Sequence, residues 1–339
     1  MKNIRLGIAG TGMIAKVIAK AAEPADGVTL QAVSSRTLGS AQVFAEQFGI
    51  PVALGSYEEL AGHPEVDAVY IGVPTSCKEE IALQAARNGK HILVDKPFTD
   101  TASLKRIAGS ASEHGVAFMD GTHFVHHPRT QTIKNNISEY LGDVQSVNTS
   151  FFFPFPDGEN IRFRSDLEPG GPIADLAWYS IRAAIEYMPE VNSISDQTVF
   201  TKEDGQTGVT MHGAGLIRFN GKRTSAWQVG YDAGTIIMDL SIIGSSGLIQ
   251  ADDYTLDWDK GFPFEKPGGD VDFTLRQEMD TSWEFRKIKT PSEKSAQSLM
   301  LENFAKLVWQ PELRGLAADK SILTQQLLDQ VLVSAQNGK

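Results

Sequence analysis

Four groups of residues have the types and spacing for chemistry. Residues 7–15, Gly-Ile-Ala-Gly-Thr-Gly-Met-Ile-Ala, contain G-x-G-x-x-A where an apolar run gives way to a helical pattern. In that setting Gly10 allows a tight turn, Gly12 lets the backbone approach a pyrophosphate, and Ala15 lets helix and strand pack closely. The backbone N–H groups of Thr11, Met13 and Ile14 then face the phosphates. The competing reading is a plain glycine turn. About 20 residues on, a dinucleotide site often carries an acid for the ribose hydroxyls; here Ser34-Ser35-Arg36-Thr37 offers hydroxyls and a guanidinium instead. That set suits a 2′-phosphate, hence NADP with NAD as the alternative, unless Arg36 is only a solvated loop arginine. Asp95-Lys96-Pro97 closes another apolar run; its ammonium can orient a substrate hydroxyl and lower the pKa of an acid-base group, against the alternative of a surface lysine. Finally Asp175 and Tyr179 lie four residues apart on a predicted helix and share a face. A phenol titrates near 10 and needs a nearby cation to work near neutral pH; the competing reading is a boundary tyrosine beside a locally paired aspartate.

The elements that must position these groups change character along the chain. Up to about residue 120, short apolar runs at 4–9, 30–34, 68–73, 91–94 and 116–119 alternate with helical patterns at 12–22, 40–48, 77–88 and 103–113. That is the grammar of a doubly wound parallel sheet covered by helices, a Rossmann fold, with Gly89 and Gly115 placed as helix caps of positive φ. Beyond residue 140, long alternating runs at 209–219, 224–231 and 235–243 with Asn220-Gly221 and Gly234 turns predict antiparallel sheet. Helices are expected at 173–187, 295–308 and 320–334, and residues 154–171 form the one long irregular connection. On the 173–187 helix, Ala174, Trp178, Ile181 and Ile185 make an apolar stripe with Asp175, Tyr179, Arg182 and Glu186 alongside. The predicted organisation is α/β: a dinucleotide-binding domain over 1–122, then an α+β domain over 123–339 with a large open, mainly antiparallel sheet for substrate binding and oligomerisation.

Composition bounds the partners. Of 339 residues, 31 are Lys or Arg and 42 Asp or Glu, a net charge of −11. Such a chain has no general attraction for nucleic acid or anionic lipid. With 41% hydrophobic and 22% charged residues and one cysteine, Cys77, it reads as a globular cytoplasmic protein without disulfides. The start imitates an export signal poorly, since Lys16, Lys20 and three glycines interrupt its apolar run. No stretch reaches the 18 or so apolar residues of a membrane helix.

Taken together, the glycine-rich first turn, Asp95-Lys96-Pro97, Gly170-Gly171 leading to Asp175 and Tyr179, and the Gly244-Ser245-Ser246-Gly247 turn resemble the Gfo/Idh/MocA oxidoreductase family over nearly the whole chain. The likeness is strongest to the branch of dimeric dihydrodiol dehydrogenases and NADP-dependent D-xylose dehydrogenases, where a tyrosine replaces the family's usual histidine. The resemblance implies that Lys96 and Tyr179 are a catalytic pair, that Asp175 holds substrate, that Thr75, Ser76 and Asp95 meet the nicotinamide side of the coenzyme, and that Pro97 is cis. It also implies a homodimer or homotetramer. Two departures bear on substrate. Asp95 stands where the family usually has Glu, and in His123-Phe124-Val125-His126-His127-Pro128 Val125 stands where relatives carry an arginine. His123 is read as a substrate contact, and the three histidines as pocket or surface groups in preference to a metal site. The leading function is hydride transfer between a nicotinamide and a carbinol carbon of a sugar, polyol or cyclic diol. The alternatives are a glycoside-cleaving enzyme whose tightly held coenzyme is reduced and reoxidised within a turnover, and a non-catalytic coenzyme sensor.

Overall fold

The computed structural model describes residues 3–155, 160–205, 207–256, 269–277 and 286–337. Its described residues fall into two units, the first comprising those up to 126 together with 294–322, the second those from 127 to 293 and from 323 onward.

The first unit alternates strand and helix: β1 Ile4–Ala9, α1 Met13–Ala22, β2 Val28–Ser34, α2 Leu38–Phe48, β3 Val52–Leu54, α3 Tyr57–Gly62, β4 Ala68–Ile71, α4 Lys78–Arg87, β5 His91–Val94, α5 Thr101–Glu113 and β6 Phe118–Asp120. Its strands form one parallel sheet in the order β3-β2-β1-β4-β5-β6. The order reverses at β1, and open sheets of this type bind ligands at the carboxyl ends beside that reversal. β1, β4 and β5 are almost wholly buried, which explains their unbroken apolar runs. Gly89 and Gly115 have φ of +72° and +66°, as capping requires. The last strand starts later than residue 116 because Val116 N–H bonds back to Ala111 O at 2.9 Å and belongs to the cap of α5.

The second unit opens with two helices, α6 Pro128–Asn135 and α7 Ile137–Leu141, followed by β7 Val144–Phe152 and the long helix α8 Gly171–Tyr187. Then come β8 Ile194–Glu203, β9 Thr210–Phe219, β10 Thr224–Gly230, β11 Ile237–Gly244, β12 Gly247–Ala251, β13 Gly269–Gln277 and β14 Arg286–Ser292. The sheet runs β14-β13-β12-β11-β7-β10-β9-β8, antiparallel throughout except for β7 beside β10. The expected α/β class, a Rossmann sheet plus a large and mainly antiparallel one, is therefore present.

Helix α8 differs from its sequence reading. An apolar stripe with a polar flank is expected, yet the helix is buried around nearly its whole circumference, Arg182 and Glu186 included. These two charges are tolerated because they pair with each other at 3.0 Å and Glu186 also takes Lys134 Nζ at 2.5 Å. The Gly244–Gly247 turn is structural: Ser245 and Ser246 N–H bond to Asp143 O and Leu141 O at 2.9 and 3.0 Å.

Two further helices follow β14, α9 Ala296–Trp309 and α10 Arg314–Asn337. Met300, Leu301 and Phe304 of α9 join Ile4, Leu6, Ile8, Ile18 and Leu93 in one buried cluster of the first unit. A division between residues 122 and 123 does not contain this return of the chain. Among the described residues no helix is long and apolar enough to cross a membrane.

Candidate active site

In the first unit the candidate residues lie along the carboxyl edge of the parallel sheet, after β1, β2, β4, β5 and β6. Gly10 has φ of +106°, and a Cβ there would sit 2.6 Å from Gly72 O, so only glycine fits. Gly12 precedes α1 in an extended conformation, no side chain caps the helix, and a Cβ at Gly12 would meet nothing within 4 Å. An uncapped helix start with open space before it suits an anionic pyrophosphate. Met13 is exposed and Ile14 half-buried behind it.

At the end of β2, the Thr11 hydroxyl lies 3.4 Å from that of the buried Ser35. The Ser34 hydroxyl is fully buried with no hydrogen-bond partner. Arg36 is exposed. After β4, Thr75 is buried and Ser76 and Cys77 are exposed, all three in a single 3-10 turn. The donors along this edge fit a dinucleotide, and the lack of a carboxylate at residues 34–37 fits one that carries a 2′-phosphate.

The Lys96-Pro97 peptide bond is cis, as the resemblance implies. Lys96 is buried, and Asp95 lies so close to the next strand end that a Cβ on Gly121 would come within 2.7 Å of its Oδ1. His123 follows β6 in a short 3-10 turn and is buried. Burial first, then the charge of Lys96 and the neighbouring His126, push the His123 imidazole down to about 3. Lys96 and His123 are thus brought together, with His123 neutral at ordinary pH and able to donate or accept one hydrogen bond. Asn303 bonds His126 Nδ1 at 3.0 Å. Among the described residues no group of His, Cys, Asp and Glu is arranged to hold a metal.

The second unit holds Asp175 and Tyr179 on α8. Tyr179 is buried with its ring 5.3 Å from that of Phe151. The Asp175 carboxylate accepts bonds from Arg162 Nε at 2.9 Å and from the Tyr231 hydroxyl at 3.0 Å. Phe155 and Phe163 pack edge-on against Tyr231, and the Arg162 guanidinium lies 4.7 Å over the Phe155 ring. Burial alone would lower the Arg162 pKa, but the Asp175 and Tyr231 charges and the bond to Asp175 outweigh it and hold it above the ordinary value. Burial, followed by the Asp175 charge, raises the Tyr231 phenol well above its usual range. Arg162 and Tyr231 escape a sequence reading because they stand 13 residues before and 56 after the aspartate. The one signal for Arg162 is the length of the connection before α8, and Tyr231 is visible only as the end of the predicted strand run 224–231. His127, also in this unit, accepts the Arg129 N–H at 3.0 Å through Nδ1 and so caps α6.

Residues 4–122 match the model of an oxidoreductase family with an NAD-binding Rossmann fold, and residues 131–250 match the Gfo/Idh/MocA C-terminal domain. The chain belongs to the Gfo/Idh/MocA oxidoreductase family. Over 336 residues it is 26% identical to D-xylose 1-dehydrogenase (NADP(+)) 2 of Haloferax volcanii, covering 98% of this chain and 97% of that one. It is 31% identical over 262 residues to the dTDP-3,4-didehydro-2,6-dideoxy-alpha-D-glucose 3-reductase of Streptomyces violaceoruber, covering 74% and 73%. A 3-ketoreductase from Actinomadura kijaniata, solved in complex with NADP and TDP-benzene, superposes with a TM-score of 0.85 at 25% identity over 98% of each chain. The member of this family described here is therefore an oxidoreductase by sequence and by fold.

Proposed function

We propose that this protein is an NADP-dependent oxidoreductase that moves a hydride between the nicotinamide and a carbinol carbon of a sugar, polyol or cyclic diol. The observation that carries the reading is the carboxyl edge of the first unit, where an uncapped helix start, Thr75, Asp95, Lys96 and a neutral His123 follow successive strands of one sheet. Relatives that reduce or oxidise sugar carbons support the substrate class. Arg36, exposed at the end of β2 with serines before it and no acid nearby in sequence, supports NADP over NAD.

Bound at this edge, the coenzyme supplies the hydride acceptor in oxidation and the donor in reduction. The residues of the chain move the proton and hold the substrate. Tyr179 takes the hydroxyl proton in oxidation and returns it in reduction, and Lys96 supplies the positive charge that makes a phenol usable near neutral pH. His123, uncharged, bonds a substrate hydroxyl without competing for that proton. Asp175 holds another hydroxyl; a carboxylate has about four acceptor positions, and the bonds from Arg162 and Tyr231 fix its orientation. Gly10, Thr11, Gly12, Met13 and Ile14 hold the pyrophosphate, Ser34, Ser35 and Arg36 the 2′-phosphorylated ribose, and Thr75, Ser76 and Asp95 the nicotinamide side.

The second sheet supports a homodimer or homotetramer. Phe200 and Leu216, on paired strands, are 69% and 57% exposed, which favours a second copy on that face. Titration with NADP+ and NAD+, followed by absorbance of the reduced nicotinamide during incubation with aldoses, polyols and aryl glycosides, tests the reading. Tighter NADP+ binding and net coenzyme reduction by free sugars are expected; aryl-glycoside cleavage without net reduction overturns it. Arg36→Ala should weaken NADP+ alone, by about tenfold or more for a lost charge-assisted contact.

A further inference from the structure

Behind the Lys96 turn lies a second buried lysine that the proposed chemistry does not use. Lys78 is the first residue of α4 and is only 3% exposed. Its Nζ donates to Lys96 O at 3.0 Å, to Pro97 O at 2.8 Å and to Thr75 Oγ1 at 3.3 Å. Three donors thus meet three acceptors, all in the loops after β4 and β5.

The placement runs against local preference in two ways. A cation in the first turn of a helix opposes the helix dipole, which favours the acids Glu79 and Glu80 that follow. Burying an ammonium among neutral oxygens also costs more than burying an apolar side chain of the same length. A residue that breaks local rules in this way marks a position kept for something other than packing. The oxygens it holds belong to Lys96, to the next residue, and to the threonine assigned to the nicotinamide side. We infer that Lys78 is the positioning residue for Lys96, its ammonium tying the carbonyls of the Lys96-Pro97 turn to the Thr75 turn so that the coenzyme and the lysine that supplies the positive charge are held in one frame. This inference rests on the catalytic reading of Lys96.

Hydrogen–deuterium exchange on the Lys78→Met protein, free and with NADP+, tests the tether without any turnover. Exchange at the Asp95, Lys96 and Phe98 amides should accelerate about tenfold or more while β1 and α1 keep their protection. Unchanged exchange, or acceleration spread evenly over the first unit, overturns the tether. Should Lys78→Met fail to fold, Lys78→Gln, which keeps a donor for one carbonyl, should show the same local pattern at lower amplitude, and a uniform pattern again overturns it.

Turnover of D-xylose with NADP+ tests the consequence. In Lys78→Met kcat should fall by about tenfold to a hundredfold, the loss expected of a misplaced catalytic group, with NADP+ affinity changed far less. Lys78→Arg should recover part of it. Adding Lys78→Met to Lys96→Met should cost nothing further, because the tether then has nothing to place. Wild-type kcat in Lys78→Met, or full additional loss in the double variant, overturns the positioning role. If Lys96→Met itself keeps wild-type turnover, the reading of Lys96 falls, and the exchange result still decides the tether.

Discussion

The two units hold their candidate groups by different means. In the first, Lys96 stands on a turn whose carbonyls are gripped by Lys78, and the residues around it follow strand ends of one sheet. In the second, the Asp175 carboxylate is gripped by side chains, Arg162 from a short 3-10 turn and Tyr231 from just beyond β10. Main-chain anchoring places a residue through the strand that precedes it, so its position can be read from local sequence. Side-chain anchoring depends on which distant residues the fold brings together, so it tolerates more variation and suits substrate selection.

The sharpest way to break this contrast is Tyr179→Phe, which removes the proposed proton carrier and leaves the frame intact. A loss of kcat of about 10²–10⁴ is expected, with NADP+ affinity preserved; retained turnover would remove the tyrosine from the chemistry.

Acid should strain both units through histidines held neutral by burial. Burial, then the Arg314 charge, lowers His91 to about 4; burial, then the Arg129 charge, lowers His127 to about 3; His123 is also near 3. Below their ordinary value near 6.5 the unfolded chain binds protons that the folded chain refuses, so stability falls as pH drops through the window from about 6.5 to 3. Each such histidine contributes a slope of about 1.4 kcal/mol per pH unit there. Urea unfolding at stepped pH measures it, and His123→Gln should flatten the curve.

Asp175→Asn leaves Arg162 without its counter-charge. A stability loss of about 2 kcal/mol is expected, smaller than for a fully buried pair because the Arg162 side chain keeps 25% of its exposure. Thermal melts read this loss, and a rise in substrate KM accompanies it. Tyr231→Phe removes one hydrogen bond and should cost about 1 kcal/mol, with the larger share of its effect on KM. If instead Tyr231→Phe depresses kcat as far as Tyr179→Phe does, the side-chain cluster is part of the proton path and the contrast between the units fails.

The same division explains what was legible in the sequence. The phosphate turn, the Asp95-Lys96-Pro97 turn and the caps at Gly89 and Gly115 are local events with fixed residue types, and they sit where the pattern puts them. Strand β3 and helix α3 escape because three half-buried residues and six mixed ones carry too little periodicity. Helix α9 is legible as a helix, but nothing in an apolar face names its partner, so its place in the first unit's core is not. Arg182 and Glu186 mislead in the opposite sense, since charges read as an exposed flank unless their pairing is known. Lys78 is hidden for a related reason, because a lysine at a helix start looks like a solvated one until its acceptors are seen.

The return of α9 has a consequence for biosynthesis. Because Met300, Leu301 and Phe304 complete the cluster begun by Ile4, Leu6 and Ile8, a nascent chain paused after its sixth strand carries an open apolar surface that only α9, made after the whole second sheet, can close. The nucleotide-binding unit therefore waits for the second sheet to leave the ribosome before its interior is sealed.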